Sequence, residues 1–178
     1  MRDVVGEAES GIPQLRDAMI NHDIEFMSVA VSYAIEASKR GDVPVGAVIV
    51  QRIKGQESIN NRIIISADGN KKSIDPTAHA EMNVIRNACQ ILDRWNLSDC
   101  ELYVTLEPCP MCAGAIVLSR ISRVVFGCVD PKAGAAGTLY NILNDSRLNH
   151  RCRITGGILA GESRALLVDF FKERRERK

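Results

Sequence analysis

Two short motifs, far apart in the chain, place three metal-ligand side chains and one carboxylate at the starts of two predicted helices. The first motif is His79-Ala80-Glu81, and the second is Pro108-Cys109-Pro110-Met111-Cys112. One imidazole and two thiolates are ligands that suit Zn²⁺, and three protein ligands leave its fourth tetrahedral position open for water. We therefore expect a fold that brings these two helix starts together around one zinc ion per subunit.

The spacing of the second motif suits metal binding. Cys109 and Cys112 are three residues apart, so in the first turn of a helix their sulfur atoms lie on the same side. The positive end of the helix and a bound metal both favour the thiolate. Glu81 is not needed as a ligand and is available as the group that carries protons between water and substrate. A zinc-bound water has a pKa of about 7, so these residues predict a hydrolytic enzyme.

Two simpler interpretations of the motifs are a closed structural zinc site and a redox Cys-x-x-Cys pair. A redox pair leaves His79 and Glu81 without a role. A closed site needs a fourth ligand, and neither His22 nor His150 has a motif spacing. The remaining cysteines fall in or beside apolar stretches, which is typical of small buried residues; they are Cys89, Cys100, Cys128 and Cys152.

Length and charge set limits on the kind of protein. The 178 residues suffice for one domain, and 23 Lys and Arg against 22 Asp and Glu produce no overall basic field. No apolar run approaches the roughly 18 residues of a membrane span. Residues 1–22 contain acidic side chains that are uncommon in transit peptides, and their pattern is weak. We expect a cytoplasmic protein with no membrane contact, a poorly ordered extension over 1–22, and one domain over 23–178.

Hydrophobic periodicity predicts strands that alternate with helices. Helices are expected at 23–39, from 80 to about 95, at 110–118, in a short stretch near 139–143, and from about 162 onward. Strands are expected at 45–50, around 59–66, at 101–106, at 123–128 and at about 153–159. The corresponding fold class is an α/β three-layer sandwich with a mixed five-stranded sheet.

The connection between the last two strands is informative about their direction. Antiparallel neighbours can be joined by a tight hairpin, whereas parallel neighbours need a crossover of a dozen or more residues. Twenty-four residues lie between Cys128 and Arg153. We therefore expect these two strands to run parallel.

The pattern His-x-Glu followed by Pro-Cys-x-x-Cys is the signature of zinc-dependent nucleobase deaminases. Over residues 23–178 the chain resembles the bacterial tRNA-specific adenosine deaminases of the cytidine deaminase-like fold. The resemblance is carried by Asp75–Glu81, Thr105–Gly114, Val43–Val48, Ser119–Gly127, Asp130–Gly137, Leu148–Arg151 and Asp169–Phe171. It implies hydrolysis of adenosine to inosine at the wobble position of a tRNA anticodon, with zinc on His79, Cys109 and Cys112 and with Glu81 as proton carrier.

The resemblance also implies a homodimer and a set of contacts to the tRNA anticodon loop. In the family an asparagine before the histidine motif hydrogen-bonds the flipped base. Asn70 is the candidate here, with Asn60 and Asn61 as alternatives and a turn-forming role also open, since the segment from Val50 to His79 is longer than usual. Further candidates for the substrate strand are Asp130, Lys132, Asn149, His150, Arg151, Phe170 and Phe171, with the basic tail that follows.

Related deaminases act on guanine, cytosine, cytidine or deoxycytidylate, and the zinc motif is common to all of them. A parallel last strand disfavours the cytidine deaminases, for which the resemblance implies a hairpin. The basic tail beside Phe170 and Phe171 favours a polynucleotide substrate. A non-catalytic RNA-binding subunit is the interpretation from another class, and it does not require the intact Glu81.

Overall fold

The computed structural model describes residues 11–52, 62–67 and 74–177. Within these residues four helices and five strands follow one another along the chain. The helices are α1 (Gly11–Lys39), α2 (Ala80–Leu92), α3 (Pro110–Leu118) and α4 (Ala160–Glu176). The strands are β1 (Gly46–Gln51), β2 (Arg62–Ala67), β3 (Cys100–Leu106), β4 (Arg123–Cys128) and β5 (Arg153–Gly156).

The sheet is mixed, with the strand order β2-β1-β3-β4-β5. β1 pairs antiparallel with both β2 and β3, whereas β3 with β4 and β4 with β5 pair in parallel. The expected parallel direction of the last two strands is therefore confirmed. The long connection between them is needed because the chain must return to the opposite end of the sheet before β5 begins.

Alternate residues of β1 face two different layers of helices, as the period of a strand requires. Ala47 and Ile49 belong to a core with residues of α2 and α3, and Val48 and Val50 belong to a second core with Phe26 and other residues of α1. α4 packs against α1 as well as against β4. The α/β three-layer sandwich is thus confirmed.

Close approach of α1 to the sheet depends on a glycine at the start of β1. A Cβ atom on Gly46 would lie 2.0 Å from the carbonyl oxygen of Ala30 and 2.6 Å from the backbone nitrogen of Ala34. Both of these are backbone atoms, which cannot move aside as a flexible side chain would. The helix can lie this close because Gly46 has no side chain.

Several element boundaries differ from the expectation. α1 begins at Gly11 and not near Asp23, with Pro13 tolerated in the first turn, so residues 11–22 are helical. α2 ends at Leu92 because Asp93 adopts the left-handed conformation (φ 51°). β5 ends at Gly156, since Gly157 has φ +94° and turns the chain.

The prediction of a short helix near 139–143 is wrong. This segment forms turns and an isolated antiparallel bridge between Ala136 and Asn141. The backbone N–H groups of Leu139 and Tyr140 bond to the carbonyl of Gly134, at 3.0 and 3.1 Å, so the segment folds back on its own loop. Within the described ranges, no helix combines the length and apolar character that crossing a bilayer requires.

The edge of the sheet where β3 and β4 end positions the candidate site. The chain leaves β3 at Leu106 and reaches Cys109, and it leaves β4 at Cys128 and reaches Asp130. β1 begins at the same edge because it runs antiparallel to β3. Carboxyl ends of adjacent parallel strands are a usual location for ligand sites in α/β sheets.

Candidate zinc active site

The fold brings His79, Cys109 and Cys112 into one cluster whose ligand atoms all lie within 4.8 Å of one another. His79 Nδ1 lies 3.7 Å from Cys109 Sγ and 3.5 Å from Cys112 Sγ. Tetrahedral zinc with bonds of about 2.3 Å to sulfur and 2.0–2.1 Å to nitrogen places such ligand atoms about 3.6 Å apart. The donor set therefore fits Zn²⁺ in both chemistry and spacing, with Nδ1 as the imidazole donor.

Helix starts hold the first and second ligands in position. His79 is the residue immediately before α2, and its carbonyl accepts a bond of 2.9 Å from the backbone N–H of Asn83. Cys109 occupies the same position before α3, where its carbonyl accepts a bond of 2.8 Å from the backbone N–H of Ala113. Both positive helix ends thus point toward the cluster, which favours anionic thiolates there.

The pKa values of the Cys109 and Cys112 thiols are shifted in opposite directions. A hydrogen bond from Cys112 and a further one with His79 outweigh burial and lower the pKa of Cys109 to about 4. The pKa of the Cys112 thiol is raised far above its usual range, mainly by the hydrogen bond with Cys109 and next by burial. A bound divalent cation would hold both sulfurs as thiolates, because its charge stabilises the deprotonated form of each ligand.

Glu81 lies in the first turn of α2 beside this cluster and is only 4% exposed. Burial raises the pKa of its carboxyl to about 7, against the effect of hydrogen bonds with its own backbone N–H and with Cys112. A carboxyl group with a pKa near neutrality can both accept and return a proton. The geometry therefore suits the proton-carrying role expected of Glu81.

A cavity of about 210 Å³ opens onto the cluster. Apolar side chains from the segment before β1 and from the end of β3 form part of its wall, together with polar groups near the ligands. This volume is small beside the pockets of roughly 300 Å³ and more that take drug-sized ligands, and it suits a single planar base. The lining residues are Val43, Val45, His79, Ala80, Glu81, Leu106, Glu107, Cys109, Asp130 and Ala133.

Among the predicted substrate contacts, Asp130 and Lys132 lie on the loop after β4. Asp130 lines the cavity, and its carboxylate accepts a bond of 2.8 Å from the backbone N–H of Lys132. Lys132 is exposed on the same loop. The structure thus places Asp130 in the cavity wall and Lys132 two residues further along the same loop.

Asn149, His150 and Arg151 lie elsewhere. They line a separate cavity of about 540 Å³ at the start of β5, which is the opposite end of the sheet from the zinc cluster. His150 Nε2 is 2.7 Å from the carbonyl oxygen of Ile121, and Arg120 donates to the carbonyl of Asn149 at 2.8 Å. Within one subunit these residues do not join the zinc cavity.

The two phenylalanines of α4 have different environments. Phe170 is buried, and the guanidinium of Arg174 lies 4.3 Å from the centre of its ring. The ring of Phe170 is therefore covered by the protein itself in one subunit, and its contact with substrate stays a prediction. Phe171 is 45% exposed. Arg174 also donates to the carbonyl of Gly41, so this end of α4 lies close to the segment that leads to Val43 in the cavity wall.

Asn70 and the alternatives Asn60 and Asn61 lie outside the described residues. Sequence reasoning also missed Glu107, which is 2% exposed and lines the cavity. Burial opposes its ionisation, but hydrogen bonds from Thr138, Asp130 and Ala136 outweigh burial and lower its pKa. The sequence did contain a signal for Glu107, namely a charged residue placed between an apolar strand and the cysteine motif.

Comparison with known proteins identifies the family. Residues 20–128 match the model of the cytidine and deoxycytidylate deaminase zinc-binding region. The tRNA-specific adenosine deaminase of Bacillus subtilis is 45% identical over 160 residues, which cover 89% of this chain and 94% of that protein. This chain belongs to the tRNA-specific adenosine deaminase family. Its cofactor is accordingly zinc, for which His79, Cys109 and Cys112 provide the donors.

Solved structures of relatives agree with the fold. A structure described in work on A-to-I editing by tRNA:A34 deaminases at the wobble position is 38% identical, with a TM-score of 0.73 over 80% of this chain and 99% of that one. A guanine deaminase from Bacillus subtilis is 40% identical over a shorter part, 64% of this chain and 69% of its own, with a TM-score of 0.54. The likeness to the tRNA:A34 deaminase is thus more extensive.

Proposed function

We propose that this chain hydrolyses adenosine to inosine at the wobble position of a tRNA anticodon and releases ammonia. The observation that carries the proposal is the His79, Cys109 and Cys112 cluster at the end of a base-sized cavity that Glu81 also lines. Relatives named tRNA-specific adenosine deaminases match nearly the whole chain and support this substrate.

The chain's own residues supply the proton transfers of this reaction. Zinc held by the cluster supplies a Lewis acid that activates water for attack on the ring carbon bearing the amino group. Glu81 accepts the proton of that water, passes it to the ring nitrogen, and later assists the departure of ammonia. Its burial and its raised pKa of about 7 fit a group that must change protonation state at each of these steps.

We assign two roles to the cavity wall: it excludes bulk water, and it orients the base. Val43, Val45 and Leu106 form apolar surface against which a flat ring can pack, and Asp130 stands at the same cavity. A base in an anticodon loop is partly unstacked, so flipping it into this cavity costs less than flipping one from a duplex. The wall thus holds the base above the zinc cluster.

Basic side chains near the cavity suit the phosphates that flank the flipped base. Lys132 lies on the loop that carries Asp130, and Arg174, near the C-terminal end of α4, donates to the carbonyl of Gly41. Phosphate contacts position the nucleic acid, and an exposed aromatic ring can stack on an unpaired base. The exposed basic residues after Phe171 are Lys172, Arg175 and Arg177.

We also propose a deaminase domain over 23–178, a cytoplasmic location and a homodimer. The apolar stretch 113–118 of α3 could pack against its own copy, but most of it is covered within one subunit, since Ala113, Ile116 and Val117 are buried. Leu118 remains 75% exposed and is available to a second copy. Light scattering should give the mass of a dimer, and Leu118→Glu should shift it toward the monomer; a monomeric wild type contradicts this assembly.

The competing function is deamination of a small substrate such as guanine, cytosine or deoxycytidylate. The partial similarity to a guanine deaminase is the observation in its favour. The base-sized cavity fits either class, because a flipped nucleotide and a free base present the same ring to zinc. The exposed basic residues at the end of α4 would make no contact with an uncharged free base, and they therefore support a tRNA substrate.

Incubation with total tRNA, followed by sequencing for adenosine read as guanosine, tests the proposal directly. Conversion at the first anticodon position is expected with wild-type protein and not with Glu81→Ala. Parallel assays with adenosine, cytidine, deoxycytidylate and guanine measure ammonia release. If a free compound is turned over as efficiently as tRNA, the substrate assignment is wrong.

A further inference from the structure

Glu107 links the zinc-ligand segment to the loop that forms one wall of the cavity. Its Oε1 atom accepts hydrogen bonds from the backbone N–H groups of Ala136, at 3.0 Å, and Thr138, at 3.1 Å. Its Oε2 atom accepts bonds from the backbone N–H of Asp130, at 3.1 Å, and from the Thr138 hydroxyl, at 2.5 Å. A single buried carboxylate thus receives four donors from the segment 130–138.

Only an ionised carboxylate satisfies this arrangement. An ionised carboxylate accepts at both oxygens and donates nothing. A glutamine of the same shape would turn an NH₂ group toward two of these donors and leave buried N–H or O–H groups without acceptors. The pattern of donors therefore selects the charge at position 107 as well as the length of the side chain.

The loop is also shaped to lie against this carboxylate. A Cβ atom on Gly134 would lie 2.3 Å from Glu107 Oε2 and 2.6 Å from the carbonyl oxygen of Asp130. The backbone N–H of Ala135 bonds to the carbonyl of Pro108 at 2.8 Å. Two connections, one from a side chain and one from the backbone, therefore attach the loop to the residues just before Cys109.

We propose that Glu107 is a positioning residue, which fixes Asp130 and Ala133 in the cavity wall relative to the zinc ligand Cys109. Both wall residues lie within the segment that the carboxylate binds, and Glu107 is two residues from Cys109 along the chain. The base is thus oriented by a wall whose position is set from the metal site. The expected effect of Glu107 on turnover rests on the proposed deaminase function.

The experiment uses Glu107→Gln in the full chain, with Glu36→Gln on the exposed surface of α1 as matched control. Zinc content should remain near one per chain in both. A displacement of catalytic geometry by about 1 Å can cost roughly 100-fold in rate. We expect Glu107→Gln to lower kcat/KM by about that factor and to raise KM, because the loop also presents Asp130 and Lys132 to the substrate. Glu36→Gln should resemble wild type.

A second readout is independent of activity. Hydrogen exchange should show faster exchange at the amides of Asp130, Ala136 and Thr138 in Glu107→Gln, while α2 and β3 keep wild-type protection. A substitution that only lowers global stability would speed exchange across the whole domain. This measurement distinguishes failure of the positioning role from failure of the tRNA proposal, which would already be evident in the substrate panel of the wild-type protein.

Gly134→Ala tests the same relationship from the loop side. It should reproduce the rise in KM and the local exchange, whereas Gly161→Ala in α4 should not, because a Cβ there has nothing within 4 Å. The proposal would be overturned if Glu107→Gln retained its zinc, had a kcat/KM within about threefold of wild type, and showed unchanged hydrogen exchange at residues 130–138.

Discussion

Arg123 on β4 forms a bidentate salt bridge with Asp23 on α1, with Nη1–Oδ1 at 2.7 Å and Nη2–Oδ2 at 2.6 Å. Both residues are buried, and Arg123 also lies 3.5 Å from Glu101. The Tyr103 hydroxyl is 3.1 Å from the Asp23 and Glu101 carboxylates, and burial followed by these two charges raises its pKa, so it remains a phenol that donates. This network attaches α1 to the face of the sheet away from the zinc site.

Arg123→Met should destabilise the protein by about 3–5 kcal/mol, because it leaves the buried Asp23 carboxylate without its cation, whereas Glu101 keeps its ion pair with Arg52. Urea unfolding measures the loss. The matched control is Arg147→Ala, which breaks an exposed pair with Asp145 and should cost far less, because solvent screens such a pair. Equal losses in the two variants would contradict the assigned role of the network.

Cys112→Ser should reduce zinc from about one ion per chain to a small fraction, since serine does not supply a thiolate and Cys112 is one of three ligands found among the described residues. Elemental analysis of freshly purified protein is the measurement. Cys89→Ser changes a cysteine outside the cluster and should keep its zinc. Full zinc content in Cys112→Ser would show that the ligand assignment is incorrect.

Glu81→Ala should keep zinc and fold yet retain less than about a tenth of the wild-type rate, a difference of at least about 1.4 kcal/mol in the activation free energy. The reason is that Glu81 lines the cavity but is outside the ligand cluster. Single-turnover assays on tRNA, with zinc measured in the same samples, test this. A variant above that rate would need another proton carrier.

Removal of residues 172–178 should weaken tRNA binding and flatten its dependence on salt, because fewer phosphates are neutralised. Truncation also removes Arg174, which packs on Phe170 and bonds to Gly41. A variant with alanine at Lys172 and Arg175 keeps that contact and should lower the salt slope by about two. An unchanged slope in both variants would mean that this end of α4 does not contact RNA.

Features of the chain that depend only on neighbours in sequence are predictable from local patterns. The start of α3 at Pro110 and the limits of β4 follow from a proline tolerated in a first turn and from a short apolar run. The parallel last strand follows from the length of one connection. The prediction of a helix at 139–143 is wrong because the apolar residues there belong to a loop that folds back and bonds to the carbonyl of Gly134.

By itself the sequence determined the zinc-ligand cluster, the carboxylate proposed to carry protons and the fold class, since each rests on local spacing or periodicity. Tertiary structure alone decided which distant residues share the cavity. It placed Asp130 beside Cys109, set Asn149 to Arg151 at the far end of the sheet, and buried Phe170 under Arg174. It also revealed Glu107, because the four donors that define its role come from residues at least 23 positions away in the chain. Such contacts depend on strand order and loop path, which no local pattern encodes.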